Sequence, residues 1–217
     1  MKRCIIIANG KSPRKSVIEF LAKQGYNTII CADGGANSAL MLGITPNYII
    51  GDLDSIKDET EKYYASKSKI VKIKRQNDTD VEKCLKFAIK KRMKEAVLVG
   101  VTGDRLDHTF CNLGIILKFY DKISLRIIAE KSLLSAHSGT IEIPVKLGET
   151  ISLYGFSEKT KITSTGLKYQ LKNTALPFGV KESTSNVATE GKIKLKIKNG
   201  IVFIIRDFNL VKKNGLF

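Results

Sequence analysis

The sequence predicts an α/β N-terminal domain with a mostly parallel sheet, followed by an all-β C-terminal sandwich domain. Up to about Glu130, short apolar segments rich in β-branched residues alternate with helix-like segments. This alternation is typical of a parallel sheet that is buried on both faces. From about Ser138, apolar and polar residues alternate along runs such as Thr140–Ile143 and Lys192–Ile197. That pattern is typical of antiparallel strands with one face in the core.

The N-terminal region contains segments for six strands and five helices. The predicted strands are Arg3–Ala8, Thr28–Ala32, Tyr48–Ile50, Ile70–Ile73, Ala96–Val101 and Leu125–Ala129. The predicted helices are Arg14–Gln24, Ala36–Leu42, Asp58–Lys67, Asp80–Met93 and His108–Asp121. Thr79 to Glu82 have the form of a capping box for the fourth helix, and Gly43 suits the end of the second.

The C-terminal region carries turn signals between its predicted strands. They lie at Lys146–Glu149, Ser164–Gly166 and Asn199-Gly200. Asn-Gly between two apolar-patterned runs predicts a β-hairpin at the last of these. The pattern changes between Glu130 and Ser138, so we expect two domains, 1–133 and 134–217.

The composition is strongly basic. Of 217 residues, 37 are Lys or Arg and 21 are Asp or Glu, a formal net charge of +16. Such a charge suits an anionic partner. However, the lysines are spread along helix and strand faces, as in Lys90–Arg92 and Lys192–Lys198, and no basic arm with interleaved aromatics is present. We therefore expect a solvated basic surface and no nucleic-acid partner.

Cysteine spacing and hydropathy bear on the cellular location. The four cysteines form no CxxC motif and each has an apolar neighbour. We interpret them as buried thiols in a reducing cytoplasm. The apolar run Cys4–Ala8 is too short for a signal peptide, and no run reaches the ~18 apolar residues of a membrane span, so we expect no membrane partner.

Acidic residues follow four successive predicted strands. They are Asp33, then Asp52 and Asp54, then Asp78 and Asp80, and then Asp104 and Asp107. The carboxyl ends of parallel strands share one edge, where ligands bind. Clustered carboxylates repel one another unless a cation lies between them, and Mg²⁺ takes carboxylate oxygens and bridges to substrate phosphates. We therefore predict that Asp52 and Asp54 form a metal site for a nucleotide phosphate chain.

Any single acidic cluster has a simpler interpretation, because Asp and Asn commonly form turns and helix caps. Four clusters at four strand ends are harder to explain in that way. Gly34-Gly35 opens a helix whose backbone N–H groups could bind phosphate or ribose oxygens, and Gly103 lies in a second such loop. Neither loop is a Walker A or GxGxxG motif. Arg105 is the cation among the acidic loops and suits the neutralisation of phosphate charge.

Six segments in this order resemble the thiamine pyrophosphokinase family. They are ICADGGAN, GDLDSI, QNDTDVEKCL, GVTGDRLDH, GLKYQLKN and STSN. The resemblance implies transfer of the pyrophosphoryl group of ATP to the hydroxyl of thiamine, with Mg²⁺, giving thiamine diphosphate and AMP. It also implies a homodimer whose active site lies between the α/β domain of one subunit and the β domain of the other.

The resemblance further implies roles for individual residues. Asp52, Asp54 and Asp80 match the metal and phosphate-chain site. The ATP site comprises Asp33, Gly34, Gly35, Asn37, Gly103, Arg105, Asp107 and His108. The thiamine site comprises Gln76, Asp80, Phe178, Ser183, Ser185 and Asn186. For the catalytic set we take Asp80, Asp54, Arg105 and Asp107. We hypothesise Asp80 as the proton acceptor, because the capping box puts it at the start of a helix that faces the strand edge, with Asp107 as the alternative.

Two of these assignments have further interpretations. The family often has a Trp shortly before STSN, whereas this chain contains no Trp and has Phe178 at the corresponding place. A Phe ring can still stack on thiamine, with less area. Ser183–Asn186 taken alone is a polar turn that enters a strand.

Two other functions remain as alternatives. One is another Mg²⁺-dependent nucleotide transferase with a different alcohol acceptor. The other is a nucleotide- or RNA-binding protein that uses the basic surface without chemistry. The acidic loops argue against the second, because carboxylates repel a polyanion.

Overall fold

In a computed structural model, which describes residues 1–74, 77–103 and 105–217, the chain divides into two units, Met1–Glu130 and Lys131–Phe217. The strand pairs of the first unit are parallel and those of the second are antiparallel. The predicted fold class is therefore confirmed.

Within its described residues, the first unit contains every strand and helix that the sequence predicts. The strands are β1 (Arg3–Ile7), β2 (Thr28–Ala32), β3 (Tyr48–Gly51), β4 (Lys69–Lys72), β5 (Glu95–Val99) and β6 (Ser124–Ala129). The helices are α1 (Lys15–Lys23), α2 (Gly35–Met41), α3 (Asp58–Tyr64), α4 (Asp80–Lys90) and α5 (Leu106–Lys118). Their ends differ from the predicted ones by a few residues; α5, for example, begins at Leu106 rather than His108.

The sheet of the first unit runs in the order β6-β5-β1-β2-β3-β4. The central strand β1 is apolar and buried, and its Ile5 pairs with Ile29 on one side and Val97 on the other. Strands β2, β3 and β4 lie on one side of β1, and strands β5 and β6 lie on the other. The strand order therefore reverses between β1 and β5, which is where open parallel sheets form a ligand crevice.

Of the two predicted helix-end signals, the capping box is half formed and the glycine end of α2 is present. The Thr79 hydroxyl accepts the Glu82 N–H at 3.3 Å and caps α4. The carboxylate of Glu82 accepts instead from Lys118 Nζ at 2.7 Å. At the end of α2, Gly43 has φ +66, and its N–H bonds to the Leu40 carbonyl at 3.0 Å. The position of Asp80 in the first turn of α4 is thus fixed by a local cap.

Gly35 allows α2 to lie against the end of β1. A Cβ atom at Gly35 would lie 2.1 Å from the backbone oxygen of Ile7. Because the clash is with backbone rather than a flexible side chain, any larger residue would push α2 away from the sheet.

The second unit is built around one long strand. Its elements are β7 (Ser132–Pro144), β8 (Thr150–Tyr154), β9 (Lys161–Thr165), β10 (Thr174–Ala175), β11 (Ser183–Val187), β12 (Lys192–Asp207) and α6 (Phe208–Lys213). Strand β12 pairs with β7 along both of its halves, with β9 along its first half and with β8 along its second. Side chains such as Ile151, Ile162 and Ile204 form the core between these strands.

The hairpin predicted at Asn199-Gly200 is wrong. The chain does not reverse there; β12 continues, and its register with β7 shifts between Ile197 and Val202. Asn199 takes φ +58, and the Thr160 side chain packs so closely on Gly200 that no Cβ would fit. The Asn-Gly signal therefore marks a bulge that lets one strand pair with β9 before it and β8 after it.

A buried ion pair lies in the second unit. Arg206 of β12 donates to Glu149 at 2.5 Å from Nε and at 3.0 Å from Nη2. Arg206 also donates to the Pro144 carbonyl at 3.1 Å, and the Lys146 N–H donates to Glu149 at 3.0 Å. The pair thus joins β12 to the turn between β7 and β8.

The expectation for the cysteines is right for three of them. Cys4, Cys31 and Cys84 are buried and unpaired, whereas Cys111 is exposed on α5. Its burial was predicted from an apolar neighbour in sequence, but that neighbour, Phe110, is itself exposed.

Among the residues that the structure describes, no helix combines the length and the apolar character needed to cross a bilayer.

Substitution of Gly35 by Ala should destabilise the protein by about 3 kcal/mol, because the new Cβ overlaps the backbone of β1. Chemical denaturation measures this change. Gly114→Ala is the matched control: no atom lies within 4 Å of a Cβ at Gly114 in the middle of α5. It should stabilise the protein by about 0.5–1 kcal/mol. Equal effects of the two substitutions would contradict the packing described for α2.

Substitution of Arg206 by Met should cost about 3–5 kcal/mol of unfolding free energy, because it leaves the buried Glu149 carboxylate without its cation. The control is Lys192→Met, which removes an exposed ion pair with Glu142 and should cost less than about 1 kcal/mol. Thermal unfolding of both variants checks the difference. A mild effect of Arg206→Met would mean that Glu149 is accessible to water.

Candidate active site

A cleft with a volume of about 570 Å³ lies at the carboxyl ends of the strands in the first unit. Its walls include Asn9 after β1, Asp33 after β2, Asp52 after β3 and Gly100 after β5. The loops after β1 and β5 are joined by backbone hydrogen bonds, from the Gly10 N–H to Gly100 and from the Lys11 N–H to Thr102, both 2.7 Å. The cleft thus opens where the strand order reverses.

Three carboxylates converge in this cleft. Asp33, Asp52 and Asp80 each place one oxygen so that all three oxygens lie within 4.8 Å of one another. Oδ1 of Asp52 is buried and has no hydrogen-bond partner. A buried anionic oxygen without a partner is costly, and a cation is its usual partner. The donor set and the unpartnered oxygen therefore fit a hard divalent ion.

Lys83 lies between two of these carboxylates. Its Nζ donates to Asp52 Oδ2 at 3.3 Å and to Asp80 Oδ1 at 2.8 Å, and only 3% of its side chain is exposed. Burial alone lowers the pKa of Lys83, but the hydrogen bonds and charges of Asp80 and Asp52 outweigh burial, so its pKa is raised. Lys83 is therefore a buried cation that offsets the repulsion within the cluster.

Asp33 is the most buried of the three acids. Its carboxylate accepts the backbone N–H groups of Asp54 and Ser55, both at 3.3 Å, and of Ile56 at 3.0 Å. Burial, together with the charges of Asp80 and Asp54, raises the pKa of Asp33 to about 6 against the opposing hydrogen bond from the Ser55 N–H. Asp33 thus holds the loop after β3 while it adds negative charge to the cleft.

The predicted pair Asp52 and Asp54 separates in the structure. Leu53 between them has φ +66 and turns the chain. Asp52 faces Lys83: burial raises its pKa, but Lys83 outweighs this, and the pKa is lowered. The Asp54 carboxylate accepts the Ser55 hydroxyl at 2.9 Å and does not belong to the converging group. Asp33 is the third member of the converging group.

The predicted site residues at the start of α2 make hydrogen bonds and packing contacts with other parts of the protein. The Asn37 side chain donates to the Ser55 carbonyl at 3.0 Å and accepts the Lys57 N–H at 3.1 Å, and it does not line the cleft. Gly34 lines the cleft, and both Gly34 and Gly35 are buried. A Cβ at Gly34 would lie 2.4 Å from the Asn9 side chain, so the pair permits close packing.

The loop before α5 and the first turn of this helix bring four predicted residues to the cleft: Gly103, Arg105, Asp107 and His108. Arg105 donates to Asp107 at 2.9 Å from Nε and at 2.6 Å from Nη2, and both side chains are exposed. The hydrogen bond from Arg105 holds the pKa of Asp107 well below its usual range. Asp104 lies outside the described residues.

The residues predicted for thiamine binding lie mostly in the second unit. Gln76 lies outside the described residues. The Phe178 side chain is 60% exposed. Ser185 follows a shift in the β8–β11 register, takes φ +54, and donates its N–H to the Ser152 hydroxyl at 3.0 Å.

Asn186 is buried, and its amide is fully used inside the unit. The amide nitrogen donates to the Tyr169 carbonyl at 2.7 Å and to the Ser183 hydroxyl at 3.1 Å. The amide oxygen accepts the N–H groups of Tyr169 at 3.0 Å and Val187 at 2.9 Å. In this arrangement Asn186 has no hydrogen-bonding position left for a ligand, and it positions Ser183 instead.

The sequence analysis missed Lys83, Asn9 and Gly10. Asn9-Gly10 follows β1, so the rule that located the acidic loops after the other strands also applied to it. Lys83 had a signal as well, since it lies three residues after Asp80 in a helix whose start was predicted correctly.

Comparison with known proteins gives matches over both units. The family model described as thiamin pyrophosphokinase, catalytic domain, matches residues 21–129. The model described as thiamin pyrophosphokinase, vitamin B1 binding domain, matches residues 138–202.

Individual relatives agree with the family models. Thiamin pyrophosphokinase 1 of Caenorhabditis elegans is 28% identical over 199 residues, covering 85% of this chain and 81% of the relative. Thiamine pyrophosphokinase of Bacillus subtilis is 26% identical and covers 95% of this chain and 99% of the relative.

Solved structures show the same likeness. The crystal structure of the Bacillus subtilis thiamine pyrophosphokinase superposes with a TM-score of 0.82 at 26% identity, covering 96% of this chain and 100% of that one. Since the catalytic-domain model alone matches half of the sequence and the second model follows it in order, the chain belongs to the thiamin pyrophosphokinase family.

Proposed function

We propose that this chain transfers the pyrophosphoryl group of ATP to the hydroxyl of thiamine, forming thiamine diphosphate and AMP. As a member of its family, the chain is a transferase. The observation that carries the proposal is the acidic cluster with an unpartnered carboxylate oxygen in a cleft at the strand ends. Such a site suits a metal-bound phosphate chain, and it gives no support to a protein that binds RNA through basic residues.

In the proposed reaction the hydroxyl oxygen of thiamine bonds to the β-phosphorus of ATP. The bond from the β-phosphorus to the oxygen that bridges it to the α-phosphorus breaks, and AMP leaves with that oxygen. The hydroxyl proton passes to an acceptor on the protein. Positioning and electrostatic stabilisation supply most of the rate in reactions of this type.

We propose Mg²⁺ as the cofactor, held by Asp52 and Asp80 with Asp33 as the third carboxylate of the group. When bound, such an ion withdraws charge from phosphate oxygens. Asp54 stays a proposed ligand and catalytic residue, and one of its carboxylate oxygens accepts the Ser55 hydroxyl. Lys83 keeps the neighbouring carboxylates of Asp52 and Asp80 close together.

We propose Asp80 as the proton acceptor, with Asp107 as the alternative. Asp80 begins α4, lines the cleft and belongs to the acidic group. Asp107 is a weaker candidate, because its pKa is lowered by the hydrogen bond from Arg105. A carboxylate with a lowered pKa is a poorer base.

The loops around the cleft are the proposed ATP site. Arg105 and His108 lie at its wall, where cationic or donating groups can meet phosphate oxygens. Asp33, Gly34, Gly35 and Asn37 contribute by shaping the loops after β2 and β3. Gly103 completes this set in the loop before α5.

Residues 134–217, which lie within the second unit, are the proposed thiamine-binding and dimerisation domain. Residues 1–133 are the proposed ATP- and Mg²⁺-binding domain. We propose that thiamine contacts Phe178, Ser183 and Ser185, and also Gln76 of the first domain. Asn186 is proposed to position Ser183. Exposed apolar side chains at Tyr169, Phe178 and Val180 support a homodimer with the active site at the subunit interface.

A cytoplasmic location is part of the same proposal. It is supported by the unpaired cysteines, because free thiols are typical of a reducing compartment.

The purified protein with Mg·ATP should release AMP only when thiamine is present, in equal amount with thiamine diphosphate. The reason is that attack at the β-phosphorus makes AMP the leaving group. Chromatographic measurement of both products checks this. ADP as the nucleotide product would mean attack at the γ-phosphorus, and activity with other alcohols but not thiamine would favour a different transferase.

Asp80→Asn should lower the turnover number by about 100-fold or more, because it removes a charge and the proposed proton acceptor. Binding of a non-hydrolysable ATP analogue, measured by calorimetry, should persist. Asp58→Asn is the control: Asp58 begins α3, is exposed and does not line the cleft, so its turnover should stay near that of the wild type. Unchanged turnover in Asp80→Asn would remove Asp80 from the mechanism.

A further inference from the structure

Lys83 differs from the other lysines that the structure describes around the cleft, because it is both buried and shared between two acids. Its Nζ contacts Asp52, which follows β3, and Asp80, which begins α4. By comparison, Lys86 one turn further along α4 pairs with Asp78 and is about half exposed. A charged amine taken out of water in this way needs strong anionic partners.

The charge of the cluster sets what it can bind. The three carboxylates and the Lys83 ammonium together leave two negative charges, which a divalent cation would cancel. Yet the ammonium already occupies one oxygen of Asp52 and one of Asp80, so only part of the oxygen set is open to an ion. Two cations near three carboxylates also repel each other, because charges a few ångströms apart in a partly buried site are weakly screened.

We propose that Lys83 is a built-in counter-ion that keeps the affinity of the acidic cluster for a free divalent cation low and makes cation binding depend on a phosphate chain. The proposal rests on the proposed function, which places a nucleotide triphosphate in this cleft. The phosphate chain brings further anionic oxygens, so the ammonium and the metal ion can both be neutralised. Lys83 is thereby a positioning residue that couples two ligands of the same site.

This coupling has a consequence for the order in which ligands arrive. A cluster without Lys83 would hold a divalent cation by itself, and the cation would then be present before the nucleotide. With Lys83, the cation binds well only together with phosphate. The enzyme then takes up the metal–nucleotide complex as one unit, and its cleft stays free of tightly held cations.

The test measures Mn²⁺ binding to the full-length chain without nucleotide, by electron paramagnetic resonance of the free ion. Lys83→Met removes the ammonium, and Lys83→Gln removes the charge but keeps a hydrogen-bond donor. Both variants should bind Mn²⁺ roughly 10- to 100-fold more tightly than the wild type, because a unit charge within a few ångströms of the ion is gone. Lys86→Met removes the same charge from the same helix and should change the affinity by no more than about 3-fold.

The second measurement adds a non-hydrolysable ATP analogue. In the wild type the analogue should raise the Mn²⁺ affinity strongly, and in the Lys83 variants the gain should be about 10-fold smaller, because the two ligands are no longer coupled through the amine. If Lys83→Met does not fold, as judged by circular dichroism, Lys83→Gln decides the result.

Affinity for Mn²⁺ that is unchanged or weaker in the folded Lys83 variants would overturn the proposal, since Lys83 would then only hold the carboxylates in place. An unchanged increase in Mn²⁺ affinity on addition of the ATP analogue would also overturn the proposal. The experiment uses no thiamine, so loss of pyrophosphoryl transfer and failure of this proposal are separate outcomes. A wild type that forms thiamine diphosphate while its Lys83 variants bind Mn²⁺ no better would keep the function and refute the role of Lys83.

Discussion

Three carboxylates within 4.8 Å of one another have to be stabilised before any ligand arrives, and the rest of the cleft follows from how the chain does this. Asp33 is stabilised by the partial charges of three backbone N–H groups from the loop after β3. Asp52 and Asp80 are stabilised by the full charge of Lys83. The backbone N–H dipoles around Asp33 fix the loop after β3. The Lys83 ammonium, in contrast, can exchange partners when phosphates enter the cleft. The cluster therefore has one rigid acid and two that can respond to a ligand.

Close backbone packing fixes the loop that carries Asp33. A Cβ at Gly35 would meet β1, and one at Gly10 would lie 2.5 Å from the carbonyl oxygens of both Gly100 and Thr102. Gly100 has φ +67, and a Cβ at Gly100 would lie 2.5 Å from the carbonyl oxygen of Ala8. The loops after β1, β2 and β5 thus hold one another at backbone distance, where only glycine fits. Of the three acids only Asp33 lies on these loops, so this packing fixes Asp33, whereas Asp52 and Asp80 are held together through Lys83.

The sequence predicted the sheet and the edge of the site because both depend on local patterns. Apolar runs identify buried strands, and a parallel sheet then brings the residues after them together. The features that the sequence could not predict depend on single backbone torsions and on partners that are distant in the chain. Leu53 at φ +66 decides that Asp52 faces the cluster and Asp54 does not. Asn199-Gly200 has the local signal of a hairpin, but pairing with β7 on both sides of it keeps β12 continuous.

The second unit shows how far a resemblance carries to individual residues. Ser183, Ser185 and Asn186 of the STSN segment were all assigned to thiamine, yet they differ in what they can still bind. Asn186 uses all four hydrogen-bonding positions of its amide within the unit. Ser185 lies where the register between β8 and β11 shifts. A motif residue without a free donor or acceptor contributes by holding its neighbours in place. Asn186 therefore determines where the Ser183 hydroxyl lies, and the segment can be retained for its geometry even where a side chain never touches the ligand.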